Sequence, residues 1–378
     1  MKVLFISNDP TIFDPASAAR ARMHAYALAI GELHIISPAK RGARGGQEGC
    51  LFLHPVHVWK ILRIGVLARR ARALIRTHDI EIVSAQDPFE HGLAARRAVR
   101  GTGAKLHIQV HTDFLSPWFI KSGDWHLSHM RMSFLNRYRR RIADRVLPAA
   151  AGIRAVSERV KASLVARYGS RIPEPSVVPV WIDAVVPAPV RLPAHSFKFS
   201  LIAIGRLEPE KRVEDILKAL KIVGKQYPMV GLFIVDEGRE RVRLKRMTHS
   251  LGLDTRVVFL GRRSDARALM GSAQAFVQAS AYEGYGRTLI EAALAKVPII
   301  TTDVGIVGDV LKGDESVLVV PIADPRTLSR HIITLIEDNT MRQELPVHAD
   351  LAVRTHLALI GDLPTRIAED LAHTLQRL

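Results

Sequence analysis

Twelve short apolar runs alternate with stretches of helical periodicity, six on each side of a proline-rich break, and this pattern confines the chain to one architecture. In the first half the runs fall at 3–7, 33–37, 80–85, 106–110, 152–157 and 177–180. In the second half they fall at 199–205, 230–236, 257–260, 275–278, 298–302 and 317–320. The runs are mostly continuous rather than alternating, as strands of a parallel sheet covered on both faces are. With helices between most of them they form βαβ units, and hence an α/β protein of two doubly wound sheets. Right-handed crossovers put a ligand cleft at the carboxyl ends of such strands. The break, PAPVRLPAHS at 187–196, has three prolines and no periodicity, so it reads as a linker. The expected organisation is one Rossmann-like domain over 1–190, a second over 191–350, and C-terminal helices over 351–378, interrupted near 359–364 and packing back on the first domain.

A length of 378 residues leaves room for two separate cores. No apolar run reaches the ~18 residues that span a bilayer. The opening MKVLFISNDP reads as a first buried strand meeting an Asn8-Asp9-Pro10 turn rather than as a signal peptide. Cys50 is the single cysteine, which excludes an internal disulfide or a cysteine-rich metal site and fits a reducing cytoplasm.

The formal charge of +17 is uneven: residues 1–195 hold 29 Lys and Arg against 14 Asp and Glu, and residues 196–378 hold 25 against 23. An arginine-rich background would spread over both halves, so the bias points to a polyanionic partner for the first half. Two segments there are basic and amphipathic. In 66–77, Leu67, Ala71, Leu74 and Ile75 follow helical spacing while Arg69, Arg72 and Arg76 lie on another face. In 129–146, Met130, Phe134, Tyr138, Ile142 and Val146 form a stripe beside Arg137, Arg141 and Arg145, with Arg139 and Arg140 nearby. The ordinary reading is a pair of surface helices with solvated arginines. The functional reading is a helix lying on an anionic membrane, which makes the expected location cytoplasmic and peripheral on the inner face of the membrane. No helix-turn-helix, zinc-finger or aromatic RNA-binding pattern is visible, so no nucleic-acid partner is expected.

The chemistry concentrates in 282–305, YEGYGRTLIEAALAKVPIITTDVG. Glu283 lies in a Gly-rich turn, and Glu291 follows after seven intervening residues. Gly284 and Gly286 let the backbone approach a ligand, and the helix expected from about Arg287 offers free N–H groups that suit a phosphate. Glu291, in its first turns, is suited to a vicinal diol such as a ribose. Upstream, GRLEPEKR at 205–212 ends the first strand of the second half with two cations, the planar fork of Arg206 and the point charge of Lys211.

With these residues in register the chain resembles the family 4 glycosyltransferases, retaining enzymes of the GT-B fold, in which two doubly wound domains face each other across the active-site cleft. The family signature, roughly EGFG…EAMA…PVVATDVGG, is matched by Glu283, Gly284, Tyr285, Gly286, Glu291, Ala292, Pro298, Thr302, Asp303 and Gly305. The family's Gly-Arg…Lys pair is matched by Arg206 and Lys211, and VVFLGRRSD at 257–265, with Arg262, resembles the strand and turn near the nucleotide base. Val110-His111-Thr112-Asp113 resembles the segment with the active-site histidine, and Ala155-Val156-Ser157-Glu158 the strand end that follows it. The resemblance implies that the first domain binds the acceptor and the second a nucleoside-diphosphate sugar. It implies catalytic roles for Glu283, at the sugar hydroxyls, and for His111, near the reacting carbon. Arg206, Lys211, Gly286, Thr288 and Leu289 would bind the diphosphate. Tyr285, Arg287, Glu291 and Arg262 would bind the sugar and nucleotide. No Asp-x-Asp occurs in the chain, so no metal and no cofactor are expected and the cations must hold the diphosphate.

The chain departs from the family in four places. The loop after the first strand, Pro15 to Ala19, has no glycine. Lys296 stands where a glycine commonly ends the helix, so a different turn is expected there. Val304 to Asp309 replaces a GGIPE run. The stretch from Ala143 to Glu158 extends a more compact ADRVIAVSE segment. The expected function is metal-independent transfer of a hexose or hexosamine to a glycan, lipid-linked or phosphorylated acceptor. The alternatives are a GT-B sugar-nucleotide epimerase or phosphorylase-like enzyme, and a non-catalytic module binding membrane or nucleic acid.

Overall fold

The computed structural model describes residues 1–120 and 127–377, with side chains outside 121–132. The chain forms two compact units. One comprises Met1–Ser116, Arg131–Trp181 and Ile360–Leu378; the other comprises Pro117–Met130 and Ile182–Leu359.

The first unit is built on an eight-stranded sheet: β1 Lys2–Ile6, β2 Glu32–Pro38, β3 Gly46–Glu48, β4 Leu51–Val56, β5 Ile82–Ala85, β6 Lys105–Val110, β7 Gly152–Ala155 and β8 Ser176–Val177. Their order is β3-β4-β2-β1-β5-β6-β7-β8, parallel throughout except for β3 against β4. The runs read from sequence correspond to six of these strands. The unexpected pair is β3 and β4 at the sheet edge. In β4 the apolar run is broken by His54-Pro55, and proline is tolerated there because β3 pairs only with Leu51–Leu53, which leaves Pro55 unpaired on that side. Val3, Phe5, Leu33, Ile35, Leu51 and Leu53 form the core with Met23, Ala27 and Ile30 of the helix Ala18–Ile30. Ser17 caps that helix by accepting from the N–H of Arg20 at 3.0 Å, so the glycine-free loop after β1 closes as an ordinary N-cap.

The helix Leu363–Gln376 adds Leu363, Ile367 and Leu371 to the same core. It begins only after the helix Asn339–Ile360 stops at Gly361, whose φ of +67° ends a helix without strain. The break between the last two helices therefore lies at the interruption expected near 359–364.

The second unit carries six parallel strands: β9 Phe199–Ile204, β10 Val230–Val235, β11 Val257–Gly261, β12 Ala275–Gln278, β13 Ile299–Thr302 and β14 Leu318–Val320, all at runs read from the sequence. Their order is β11-β10-β9-β12-β13-β14. Strands β9 and β10 are almost wholly buried, as strands covered on both faces must be. The chain leaves β9 in one direction for β10 and later returns on its other side as β12. The order thus reverses at β9 and β12, the switch point where open α/β sheets leave a crevice for ligand.

Lys296 adopts the left-handed conformation, φ 53°, so the turn that closes the helix Arg287–Leu294 has the shape a glycine would give it. The expected departure there does not occur. The backbone accepts about 1 kcal/mol of strain, and Lys296 Nζ lies 3.6 Å from Asp350 Oδ2.

Candidate functional site

In the second unit the loops leaving β9 and β12 meet at the switch point. The short 3-10 turn Pro209–Lys211 is pinned to the β12 loop by a backbone bond, Ala281 N–H to Glu210 O at 2.8 Å. That bond fixes Lys211 beside Glu283, and Lys211 Nζ donates to Glu283 Oε1 at 2.5 Å. The same oxygen accepts from Ser280 Oγ at 2.8 Å and Gln278 Nε2 at 3.3 Å. Three donors therefore aim the Glu283 carboxylate, with Oε2 outside these contacts. A small cavity lined by Gly205, Lys211, Gln278 and Ser280 adjoins it. Arg206 stands exposed at the end of β9, and among the described residues its guanidinium has no ion-pair or hydrogen-bond partner.

The helix Arg287–Leu294 starts from Gly286, whose φ of +84° is left-handed. Gly305 holds that start in place. Its φ is +60°, and a Cβ there would lie 2.4 Å from Tyr285 O, the carbonyl that accepts from Ile306 N–H. The two motif glycines are thus required by backbone shape and by close approach. The N–H of Leu289 is already used, donating to Gly286 O at 2.9 Å, and its side chain is fully buried. The helix-start groups not used by the helix are those of Arg287 and Thr288. Thr288 Oγ1 donates to Gln278 Oε1 at 2.8 Å, so its hydroxyl serves the support beneath Glu283.

Glu291 is 8% exposed. Its Oε1 accepts from Arg287 Nε at 2.9 Å and lies 3.8 Å from Arg267 Nε. Arg267 also donates to the carbonyls of Asp183 and Val185. Tyr285, expected to touch the donor, is buried, and its hydroxyl pairs with His356 Nε2 at 2.9 Å. Burial raises its pKa. The structure therefore makes the Tyr285 ring part of the unit's packing. Arg262 is largely exposed, 3.6 Å from Asp236 Oδ1. The side chains of the helix Pro117–Ile120 also belong to this unit: the Arg212 guanidinium lies over the Trp118 ring at 5.4 Å, and Phe119 meets Tyr282 edge-on at 5.6 Å.

His111 belongs to the first unit, just beyond β6 at the carboxyl end of its sheet. Its Nε2 lies 3.0 Å from Gln109 Oε1. That oxygen also accepts from the buried guanidinium of Arg154 at 3.0 Å, while Gln109 Nε2 donates to Ser84 Oγ at 2.9 Å. With the amide so oriented, His111 carries its proton on Nε2 and presents a bare Nδ1. The chain of bonds continues from Ser84 Oγ to His107 Nδ1 at 2.8 Å and from His107 Nε2 to Asp370 Oδ2 at 3.0 Å. Burial and the neighbouring charges of Arg154 and Arg22 push the His111 pKa down to about 3, so the ring is neutral at physiological pH.

Six residues escaped the sequence reading. Gln278, Ser280 and Arg267 had no motif spacing to mark them, because they reach Glu283 and Glu291 only through the fold. The exposed Trp59, Ile61 and Leu62, at 84%, 93% and 62%, form an apolar tip before the helix Arg63–His78. A hydrophobic trio beside Lys60 and Arg63 was the available signal.

The basic segments divide on inspection. Leu67, Ala71 and Ile75 are buried as expected, but Arg72 is tied to the carbonyls of Arg97, Ala98 and Arg100 at the end of the helix Glu90–Val99. In the helix Leu127–Val146, Ile142 and Val146 are buried while Phe134 and Tyr138 are exposed, so the expected stripe is buried only at its end. His129 and Met130 lie outside the described side chains. Arg139 pairs with Glu90 at 3.0 Å. Arg141, Arg145 and Tyr138 line a groove with Arg96, Arg97 and Arg100. Among the described residues, no helix is long and apolar enough to cross a membrane.

Residues 192–349 match the family described as glycosyl transferases group 1, and residues 24–185 match glycosyltransferase family 4. The chain is 26% identical over 170 residues to the lipopolysaccharide core biosynthesis glycosyltransferase LpsE of Rhizobium meliloti, covering 45% of this chain and 47% of that protein. It spans about half the length of the curated relatives it matches. Sucrose-phosphate synthase from Thermosynechococcus elongatus shares its fold with a TM-score of 0.76 at 17% identity over 94% of both chains. HepE of Anabaena, solved with UDP and glucose, does so with a TM-score of 0.71 at 19% identity over 100% of both. Two family matches covering most of the sequence and a GT-B fold lead to one assignment: the chain belongs to the family 4 glycosyltransferases.

Proposed function

We propose that the protein is a retaining, metal-independent glycosyltransferase that moves a hexose or hexosamine from a nucleoside diphosphate to an acceptor in surface-glycan or glycolipid synthesis. The observation that carries this reading is the Lys211–Glu283 pair at the switch point, with unpaired Arg206 beside it. The bond between the anomeric carbon and the phosphate oxygen breaks, and its electron pair passes to the diphosphate. Fixed cations aimed at that developing charge lower the barrier. In this reading Arg206, Lys211 and the N–H groups of Arg287 and Thr288 receive the diphosphate. Glu283 holds the sugar hydroxyls, Glu291 the ribose, and neutral His111 accepts a hydrogen bond from a sugar hydroxyl at Nδ1, the hydroxyl keeping its proton. The acceptor hydroxyl gives its proton to the departing phosphate. The UDP and glucose bound by the Anabaena structure support a nucleotide-sugar donor.

The test is transfer of label from nucleotide sugars into lipid and glycan fractions, with the anomeric configuration of the new linkage read by NMR. A product with the donor's configuration, lost in Glu283→Gln, is expected. Formation of a free epimeric nucleotide sugar without acceptor would favour the epimerase reading instead.

The exposed Trp59, Ile61 and Leu62 beside Lys60 and Arg63 favour a second element of the reading, peripheral attachment to an anionic membrane surface. Apolar side chains entering the interface and cations attracted to acidic headgroups are the two contributions such binding needs. Arg96, Arg100, Arg141 and Arg145 would extend the anion-attracting surface.

A further inference from the structure

At the amino-terminal end of the first unit's sheet, away from the strand ends where ligands enter, three candidate metal ligands converge. Glu32 begins β2, His34 follows two residues later, and His78 ends the helix Arg63–His78. One ligand atom from each lies within 4.8 Å of the other two. We propose that Glu32, His34 and His78 bind a divalent transition-metal ion, Zn²⁺ by the chemistry of the donors, which fastens the end of that helix to β2.

Two imidazole nitrogens and one carboxylate oxygen form a donor set that suits Zn²⁺ and disfavours Ca²⁺ and Mg²⁺, which take oxygen shells. His34 Nε2 and Glu32 Oε1 are 3.0 Å apart. Two ligands on one tetrahedral ion with bonds of ~2.0 Å sit roughly 3.3 Å apart, so this pair is already near the required spacing. Glu32 and His78 are half-buried, which gives an ion a path in and leaves a fourth position to water.

The surroundings add an outer layer. His34 is fully buried, and its second nitrogen, Nδ1, lies 3.0 Å from His54 Nε2. With the Nε2 lone pair on an ion, Nδ1–H donates to His54, the kind of partner that fixes a ligand imidazole's tautomer. Phe52 stacks on His34 at 4.4 Å and closes one side. His78 lies in the last helical turn, whose carbonyl end carries partial negative charge and favours a cation.

The site belongs to the first unit and Glu283 and Lys211 to the second, so its test does not depend on the transferase reading. Untagged full-length protein is stripped with a chelator, then titrated with ZnCl₂, and separately with Co²⁺ as a spectroscopic probe. The expected result is saturation at one equivalent, a rise in thermal midpoint, and Co²⁺ d–d bands of a low-coordinate nitrogen and oxygen site. His78→Ala and the isosteric Glu32→Gln each weaken binding at least about tenfold, as loss of a metal contact does. His249→Ala, at an exposed histidine of the second unit, leaves affinity unchanged. Far-UV circular dichroism confirms that each variant is folded before titration. Absence of saturable binding at one equivalent, or equal affinity in both folded variants and the parent, would overturn the proposal.

Discussion

Lys211 and Glu283, 72 positions apart in the chain, are joined by a 2.5 Å bond from Nζ to Oε1. Both side chains are mostly buried, at 21% and 15% exposure, where opposite charges hold each other more firmly than at an open surface. The pair fixes the direction of the carboxylate and the height of the cation in one contact. In the proposed function it would set the two ends of the reacting bond, sugar on one side and phosphate on the other, on neighbouring loops of a single sheet.

Removing either member is expected to act differently. Lys211→Ala takes away a cation for the diphosphate and is expected to weaken nucleoside-diphosphate binding roughly 10- to 100-fold, in line with a charge-assisted hydrogen bond. Isothermal titration with the free nucleotides measures it. Glu283→Gln keeps shape and leaves binding within about threefold, because its contacts matter to the sugar in the transition state.

Gly305 is expected to tolerate no side chain. With φ at +60° and a virtual Cβ 2.4 Å from Tyr285 O, Gly305→Ala must displace the turn that starts the helix Arg287–Leu294. A loss of about 2–4 kcal/mol in urea unfolding is expected, together with a drop in donor binding. Gly252→Ala, also at positive φ but near only the mobile tip of Lys221, serves as the comparison and is expected to cost about 1 kcal/mol.

Much of this was legible in the sequence for reasons that can be named. Parallel strands covered on both faces are continuous apolar runs, so β9, β10, β12 and β13 announced themselves. Strand β4 did not, because His54-Pro55 interrupts its run past the residues that pair with β3, where pairing with β2 alone suffices. The register of Glu283, Glu291, Arg206 and Lys211 was readable. The support under Glu283 was not, since Gln278 and Ser280 gain their role only when the loop after β12 folds over. Tyr285 carries a motif position, yet its ring turns inward to His356, a partner 71 residues away that no local pattern indicates. Lys296 shows the converse: a residue with no preference for left-handed backbone adopts it because the surrounding turn requires it.

Two histidines are expected to make stability fall as the pH drops from neutral. The His111 pKa is pushed down to about 3 and the His54 pKa to about 4, both below the ordinary value of 6.5. Between those values and 6.5 these two rings bind more protons in the unfolded chain, so their contribution to stability rises with pH across that window. Urea unfolding at pH 5 and pH 7.5 with chelator present is expected to show lower stability at pH 5, and His54→Gln to remove part of the difference. The lowered pKa values of Asp87 and Asp370 act only below their ordinary 3.8 and do not enter this comparison.

Membrane attachment through the tip before the helix Arg63–His78 is expected to require both its apolar and its basic parts. Ile61→Glu should reduce co-sedimentation with vesicles containing acidic phospholipid by about tenfold. Raising salt should weaken the parent's binding as the headgroup attraction is screened. Unchanged sedimentation of Ile61→Glu would remove the tip from the account.

The most direct measurement of the central claim is release of nucleoside diphosphate from a panel of nucleotide sugars with no acceptor present. Many donors are tried at once, and slow hydrolysis needs only the donor site. The account predicts release from at least one donor, abolished to background by Glu283→Gln while that variant still binds the nucleotide. Release at the same rate in Glu283→Gln, or no release from any donor that the parent protein binds, would contradict it.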